Sequence, residues 1–395
     1  MQNFTYYNPA KVIFGKGTIA QIGAEAKVFG RKALFVYDKN ATAKNGVYQT
    51  IVDSLREAGI EFVEYTEIRP NPVLSQVQEG IVLAKKEKVD FVIGAGGGSA
   101  IDEAKAIAAG ACTDHDVWDY FLGKATLEKA LPVLAVITKS ATGTETNGGS
   151  VIHNEQTDEK LGLVVSPLIP KIAFMDPVAT FSVPAEQTAY GAVDAMSHVL
   201  EGYLTNDDPD TPWVDEYCEG ISRTLISSTD RILNDPEDYN ARAAYMWAAA
   251  LAWNGLVLTG IGNCGYPNHL IGHSMSALYG VQHGASISIS FSGWMPWFIK
   301  ESPAGMKKMA QFGNRVFGIV EPDTKIAAEK TVEHFRKWFK KIGAPTKLSD
   351  LDIDNAGLQK IAENVELCSS KWGMTQYDKE LAALLLNSCE YLAND

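Results

Sequence analysis

The sequence predicts an α/β fold with a mostly parallel sheet over residues 1–185 and an all-helical region over residues 186–395. Short β-rich runs alternate with helical periods in the first part, a pattern typical of a parallel sheet covered by helices on both faces. From about Pro184 onward, helical periodicity continues with few strand signals. A length of 395 residues also favours two domains.

Five short apolar runs carry the strand signal. The run from Val89 to Ile93 leads directly into glycines, and the run from Leu131 to Ile137 is almost continuously apolar, as expected for a strand covered on both faces. The predicted strands are Lys32–Tyr37, Phe62–Ile68, Val89–Ile93, Leu131–Ile137 and Lys171–Met175.

Helical periods separate these strands and fill the second part of the chain. The most apolar stretch, Met246–Val257, is shorter than the about 20 apolar residues that a membrane span needs, so we interpret it as a buried helix. The predicted helices include Leu74–Lys88, Ser99–Ala109, Glu186–Tyr203, Pro212–Ile232, Asn240–Asn254 and Pro322–Ile342.

The composition restricts the class of protein. A hydrophobic content of 46% and a charged content of 21% are typical of a globular chain, and a net charge of −13 argues against nucleic acid or an anionic membrane as the partner. Five scattered cysteines without a C-x-x-C spacing indicate a reducing compartment. Residues Met1–Tyr7 lack the basic and apolar regions of a signal peptide. We therefore expect a cytoplasmic protein.

A glycine-rich segment, Gly94–Ser99, lies between a predicted strand and a predicted helix. Glycine lets the backbone approach a phosphate group, and the first turn of a helix offers free N–H groups. We predict that Ser99 caps the helix and donates to a phosphate, and that Asp102 holds the loop. A tight strand-to-helix turn is the alternative, because Ser99 replaces the third glycine of the dinucleotide fingerprint.

Histidines cluster in the second part of the chain. Asp194 and His198 are spaced i, i+4, which places them on one face of a helix; His269 and His273 repeat that spacing, and His283 follows. One carboxylate and several imidazoles suit Zn²⁺ or Fe²⁺. Each histidine alone also fits a structural or exposed position, so the prediction of a divalent metal site depends on the paired spacings.

Taken together, these motifs resemble one family, the iron-containing (group III) alcohol dehydrogenases, most closely their butanol dehydrogenase-like branch. The resemblance runs through most of the chain and depends on several motifs that agree. They are Asn8–Gly17, Pro70–Pro72, Gly96–Ser99 with Asp102, Ala141–Glu145 with Asn147, Asp194 with His198, and His269 with His273 and His283.

The resemblance implies an N-terminal nucleotide-binding domain, a C-terminal helical metal-binding domain, and a cleft between them that holds the cofactor and the metal. It implies hydride transfer between a small primary alcohol or aldehyde and a nicotinamide cofactor, in a homodimer. His273 would lie beside the nicotinamide as a catalytic residue rather than as a metal ligand, and His273 or a bound water would relay a proton. The implied metal ligands are Asp194, His198, His269 and His283.

The cofactor contacts are also assigned through the resemblance. Thr138 and Thr142 follow a strand end, where ligands bind in open α/β sheets, and Lys160 would contact a phosphate or the ribose. Without the family, Lys160 is better explained as a solvated lysine. The predicted contacts are Asn71, Gly97, Gly98, Ser99, Asp102, Thr138, Thr142, Asn147 and Lys160.

The end of the first predicted strand departs from many butanol dehydrogenase-like members, which have a glycine-rich loop there. Asp38 occupies this point, and a carboxylate would bond the ribose hydroxyls and repel the 2′-phosphate of NADP. We therefore expect NAD(H) to be favoured over NADP(H), although Lys39 would offset part of the repulsion.

Other functions stay open at this point. A glycerol or polyol dehydrogenase of the same architecture, a metal-dependent hydrolase or lyase, and a non-catalytic nucleotide- and metal-binding protein each fit part of the pattern. The sequence does not define the substrate pocket, for which Trp118, Phe121 and residues near Tyr266 are candidates. Fe²⁺ and Zn²⁺ are the expected metals, and Co²⁺ and Ni²⁺ accept the same ligands.

Overall fold

The computed structural model describes residues 1–44 and 46–391, which form two compact units. The first, which we call the sheet unit, consists of Tyr7–Thr188 and Asn234–Asn254. The second, the helical unit, consists of Met1–Tyr6, Ala189–Leu233 and Gly255–Asp395. Both units therefore combine separate stretches of sequence, and the boundary at residue 185 stays a prediction about independent domains.

The sheet unit is built on a parallel sheet. Six strands form it in the order β1-β8-β5-β4-β2-β3, and β6 and β7 form a separate antiparallel hairpin. The strands within the described residues are β1 Lys11–Phe14, β2 Lys32–Tyr37, β3 Glu61–Tyr65, β4 Phe91–Gly96, β5 Val133–Ile137, β6 Gly149–Asn154, β7 Glu159–Val164 and β8 Ile172–Met175.

All five predicted strands are confirmed, with shifts of a few residues at their ends. Sequence reasoning missed β1, which has four residues and pairs with β8 far along the chain. It also missed the β6–β7 hairpin, because the side chains that β6 buries include the polar residues Ser150 and Asn154. An apolar run therefore does not mark that strand.

Helices surround the sheet and make up the helical unit. The predicted helices are confirmed within a few residues. The helices are α1 Ile22–Ala26, α2 Lys39–Lys44, α3 Val47–Glu57, α4 Leu74–Glu87, α5 Gly98–Ala111, α6 Trp118–Phe121, α7 Ala185–Thr205, α8 Pro212–Asn234, α9 Tyr239–Ala252, α10 Pro267–Tyr279, α11 His283–Glu301, α12 Pro303–Phe317, α13 Thr324–Ile342, α14 Asn355–Ser369 and α15 Lys379–Tyr391. The predicted fold class, α/β followed by all-helical, is thus confirmed.

The sheet has an apolar core on each face, as its continuous apolar strands predict. Alternate residues of β5 show this: Leu134 and Val136 belong to one buried cluster, whereas Ala135 and Ile137 belong to the other. On the second face Met246 of α9 joins that cluster. The apolar stretch predicted as a buried helix is helical only as far as Ala252, and Trp247 within it is exposed. No helix in residues 1–44 and 46–391 is long and apolar enough to span a membrane.

Parallel pairing brings the carboxyl ends of three central strands together. The backbone N–H of Asp38, just past β2, donates to the carbonyl of Ala95 in β4 at 3.3 Å. The N–H of Thr138, just past β5, donates to the carbonyl of Gly96 at 2.8 Å. Asp38, Thr138 and the glycine-rich segment Gly94–Ser99, which we call the glycine loop, therefore lie side by side at the carboxyl ends of the strands. Open α/β folds bind ligands at this edge of the sheet.

Lys105, on the buried side of α5, fixes the loop that follows β5. It is fully buried, and its Nζ lies 2.7–2.8 Å from the carbonyl oxygens of Thr144, Asn147 and Gly149 and from Thr144 Oγ1. Burial lowers the pKa of the Lys105 ammonium to about 8, although nearby Asp102 favours the charged form. The loop thus depends on one buried cation for its conformation.

We expect Lys105→Met to lower the free energy of unfolding by about 3 kcal/mol, because several buried acceptors lose their shared donor. Urea denaturation followed by circular dichroism measures this change. Lys27→Met, at an exposed lysine of the same unit, is the matched control and should leave stability almost unchanged. A similar loss in both variants would contradict the role of Lys105.

Candidate active site

The glycine loop closes tightly around the start of α5. Gly96 adopts a positive φ of 150°, and a Cβ atom built on Gly98 would lie 2.7 Å from Thr142 Oγ1. α5 begins at Gly98 and is capped by Gly97, so the prediction that Ser99 caps the helix is wrong: Ser99 lies inside the first turn. At that position its own backbone N–H is one of those that have no partner within the helix.

Two buried hydroxyls mark the end of β5. Thr138 is 2% exposed and Ser140 is 5% exposed. Within the described residues, neither hydroxyl oxygen has a hydrogen-bond partner. Buried polar groups are nearly always hydrogen-bonded, so these two hydroxyls fit a site that receives a polar ligand such as a nucleotide.

Asp102 organises the loop that carries Thr142 and Asn147. Its Oδ1 accepts from Thr144 Oγ1 at 2.6 Å, and its Oδ2 accepts from the backbone N–H of Val151 at 3.0 Å. Both oxygens therefore accept hydrogen bonds from protein groups, in agreement with the prediction that Asp102 holds the loop. Direct contact of Asp102 with a cofactor stays a prediction. Asn147 is fixed as well, since its amide donates to the Thr142 carbonyl at 3.3 Å.

Lys160 and Asn71, which are distant in sequence, meet in the structure. Lys160 Nζ donates to Asn71 Oδ1 at 2.7 Å, and Lys160 is only 5% exposed. The alternative that Lys160 is a solvated lysine is therefore wrong. Asn71 has a φ of 58°, a left-handed conformation that asparagine tolerates, so the loop before α4 is shaped to present its side chain.

Asp38 has a local structural role in addition to its predicted one. Its Oδ1 accepts from the N–H groups of Asn40 at 2.8 Å and Ala41 at 3.1 Å, which caps the start of α2. It lies beside the glycine loop, because its Cβ is 3.6 Å from the position that a Cβ on Gly96 would occupy. The carboxylate is thus held in place beside the glycine loop.

The helical unit brings the predicted metal ligands together. Asp194 Oδ1 lies 3.8 Å from His198 Nε2, 4.0 Å from His269 Nε2 and 3.4 Å from His283 Nε2. Ligand atoms about 2.1 Å from a tetrahedral metal ion are about 3.4 Å apart, so this spacing suits one shared cation. Potential ligand atoms of Asp194, His198 and His269 all lie within 4.8 Å of one another.

Three helices supply these four side chains. Asp194 and His198 share a face of α7, His269 lies in the first turn of α10, and His283 begins α11. Burial, reinforced by His269, lowers the pKa of His198 well below its ordinary value. The neutral imidazole is the form that binds a metal, so the donor set fits a borderline divalent ion.

His273 lies beside this cluster, one helical turn after His269. Its ring centroid is 5.0 Å from that of His283 and 6.2 Å from that of His269. The edge of Trp372 packs against it, with ring centroids 4.9 Å apart. His273 is 4% exposed, so its imidazole is held by the protein next to the candidate metal ligands.

The candidates for the substrate pocket, Tyr266, Trp118 and Phe121, lie in different parts of the structure. The Tyr266 ring lies 5.6 Å from the His269 ring, next to the histidine cluster. Trp118 and Phe121 stack on each other at 5.3 Å on α6 of the sheet unit, and both are largely buried. Their contribution to a substrate pocket stays a prediction.

Sequence reasoning missed two buried charged residues that hold functional groups, Lys105 and Glu201. Glu201 Oε2 is hydrogen-bonded to His269 Nδ1. Its spacing of seven residues from Asp194 on α7 was the available signal, since i and i+7 share a helix face. Burial raises the pKa of Glu201 to about 8, against hydrogen bonds from Asn268.

Two family models match this chain. The model described as iron-containing alcohol dehydrogenase matches residues 9–177. The model described as Fe-containing alcohol dehydrogenase family, C-terminal, matches residues 188–380. The two matches cover most of the chain and support the resemblance that the motifs predict.

Individual proteins with similar sequences or structures support the same family. The chain is 39% identical to the probable NADH-dependent butanol dehydrogenase 1 of Bacillus subtilis, covering 92% of this chain and 93% of that protein. It is 33% identical to the NADPH-dependent aldehyde reductase YqhD of Escherichia coli, covering 95% of each. The crystal structure of NADH-dependent butanol dehydrogenase A from Thermotoga maritima matches with a TM-score of 0.93 at 43% identity, over 98% of this chain and 99% of that one. This chain belongs to the iron-containing alcohol dehydrogenase family.

Proposed function

We propose that this chain is a metal-dependent alcohol dehydrogenase or aldehyde reductase that transfers a hydride between NAD(H) and a short- to medium-chain primary alcohol or aldehyde. The observation that carries the proposal is the convergence of one carboxylate and three imidazoles around Asp194 Oδ1 in the helical unit. The polar edge of the parallel sheet, with its glycine loop, supports the nucleotide half of the reaction. Relatives named as butanol dehydrogenases and as an aldehyde reductase support the substrate class.

The four candidate ligands would hold Fe²⁺ or Zn²⁺, and such a cation supplies Lewis acidity that stabilises negative charge on a substrate oxygen. The protein contributes position and proton transfer. The imidazole of His273, whose ring lies near those of His283 and Trp372, would pass a proton to or from the substrate oxygen. The first turn of α5 binds the cofactor phosphates through its backbone N–H groups.

The preference for NAD(H) over NADP(H) rests on Asp38. The capping bonds to Asn40 and Ala41 involve one carboxylate oxygen, Oδ1, and hold the carboxylate at the end of β2. A fixed anion at this point repels a 2′-phosphate. The named relatives include both NADH- and NADPH-dependent enzymes, so this residue is the basis for the preference.

A direct test uses the purified chain with butyraldehyde and NADH after removal of bound metal with a chelator. We expect loss of NADH absorbance only after Fe²⁺ or Zn²⁺ is restored. Tight nucleotide binding without turnover on a panel of alcohols and aldehydes would instead support a non-catalytic binding protein. Faster turnover of glycerol than of butanol would support a polyol dehydrogenase.

The ligand assignment predicts different effects at two histidines of α10. We expect His269→Ala to abolish metal binding and turnover, and His273→Ala to keep the metal within about 10- to 100-fold of wild-type affinity while turnover falls. Metal content by mass spectrometry and initial rates measure the two effects. Equal metal loss in both variants would contradict the assigned roles.

Cofactor preference can be tested at Asp38. We expect both Asp38→Gly and Asp38→Asn to increase kcat/KM with NADPH relative to NADH, because each removes the repulsive charge. Asparagine also keeps an acceptor for the cap of α2, so it separates charge from helix stability. An unchanged ratio of the two cofactors in the asparagine variant would overturn this explanation.

A homodimer and a cytoplasmic location complete the proposal. Both come from the family resemblance and the cysteine usage rather than from contacts between described residues. Light scattering of the purified chain tests whether it is a homodimer.

A further inference from the structure

The imidazole of His269 lies between two carboxylates of the same helix. Its Nε2 is 4.0 Å from Asp194 Oδ1, and its Nδ1 is hydrogen-bonded to Glu201 Oε2. Asp194 and Glu201 are seven residues apart on α7, which places them on one helix face about 10 Å apart along the axis. The two nitrogens of one ring therefore face two different acids.

Other buried groups hold the Glu201 carboxylate in place. Its Oε1 accepts from the backbone N–H of Asn268 at 2.6 Å and from Asn268 Nδ2 at 3.1 Å. The hydroxyl of Ser290 donates to Asn268 Oδ1 at 2.8 Å, which fixes the orientation of that amide. Glu201 and Asn268 are fully buried. Both carboxyl oxygens thus contact nitrogen atoms of residues in α10.

We infer that Glu201 is a positioning residue for the metal centre, which accepts the Nδ1–H of His269 and so directs the Nε2 lone pair toward the ion. This inference rests on the proposed metal site and adds a residue to it. Metal-binding histidines commonly donate their second N–H to a carboxylate, which fixes the tautomer and the ring orientation.

A purely structural role for Glu201 predicts a different effect of its substitution on metal binding. Asn268 lies in the first turn of α10, whose N–H groups have no partner within the helix, so the carboxylate also caps α10 from α7. If capping were the only role, loss of the carboxyl acceptor would reduce stability and leave metal binding intact. The two roles are separated by measuring affinity and coordination in addition to stability.

The test compares Glu201→Gln with Glu219→Gln. Glutamine offers one acceptor oxygen and adds donors, so it cannot accept from Asn268 and from His269 as the carboxylate does. Glu219 is an equally buried acid of the helical unit, on α8, where it accepts from Tyr203 Oη at 2.9 Å and pairs with Arg315 at 3.4 Å. It serves as the control for the loss of a buried carboxylate.

The readouts are the Co²⁺ and Zn²⁺ affinities, from competition with a chromophoric chelator, and the visible absorption spectrum of bound Co²⁺. We expect Glu201→Gln to weaken both affinities by about 10- to 100-fold and to change the Co²⁺ spectrum. Glu219→Gln should keep wild-type affinity and spectrum even where its melting temperature falls. Wild-type affinity and spectrum in Glu201→Gln would overturn the inference.

Two further results keep the outcome clear. If the wild-type chain binds neither ion, the proposed function itself fails, whereas binding by wild type and equally by Glu201→Gln refutes only the role of Glu201. If Glu201→Gln does not fold, Glu201→Asp takes its place. Its shorter carboxylate cannot reach His269 in the same geometry, so weaker binding and an altered Co²⁺ spectrum are expected, and unchanged values would overturn the inference.

Discussion

The helical unit must hold one buried carboxylate oxygen within 4.0 Å of imidazole nitrogens from three histidines. Such a cluster is costly to bury unless the imidazoles are neutral and the acid is compensated by a cation. The low pKa of His198 agrees with a neutral ring. The packing of α7, α10 and α11 around Asp194 is therefore the arrangement on which the proposed chemistry depends.

In the sheet unit, a buried cation rather than a buried anion holds the surrounding polar groups in place. The loop after β5 must turn back toward the glycine loop, and this leaves several carbonyl oxygens inside the protein. Lys105 satisfies them, and Asp102 connects the same loop to α5 and to β6. In our proposal, one buried ionisable residue in each unit holds groups that contact the cofactor or the metal: Lys105 in the sheet unit and Glu201 in the helical unit.

Local patterns were sufficient for much of the fold. The apolar runs located five of the six strands of the parallel sheet, and helical periodicity located the long helices, because these signals depend on residues close together in sequence. β1 was not predicted because it is short and pairs with β8, which is far along the chain. The β6–β7 hairpin was not predicted because β6 buries polar side chains against α5. The error at Ser99 was local: the helix begins one residue earlier than predicted.

The sequence by itself determined that Asp194 and His198 are neighbours, because i, i+4 spacing on one helix fixes this pair through backbone geometry alone, whereas the family resemblance supplied the rest of the candidate ligands. It also determined the family, through motifs spread over most of the chain. Only the tertiary structure decided that His269 and His283 join Asp194 at one point, that Lys160 meets Asn71, and that Glu201 reaches His269. Those distances join segments far apart in sequence, and they are set by how helices and strands pack rather than by any local spacing.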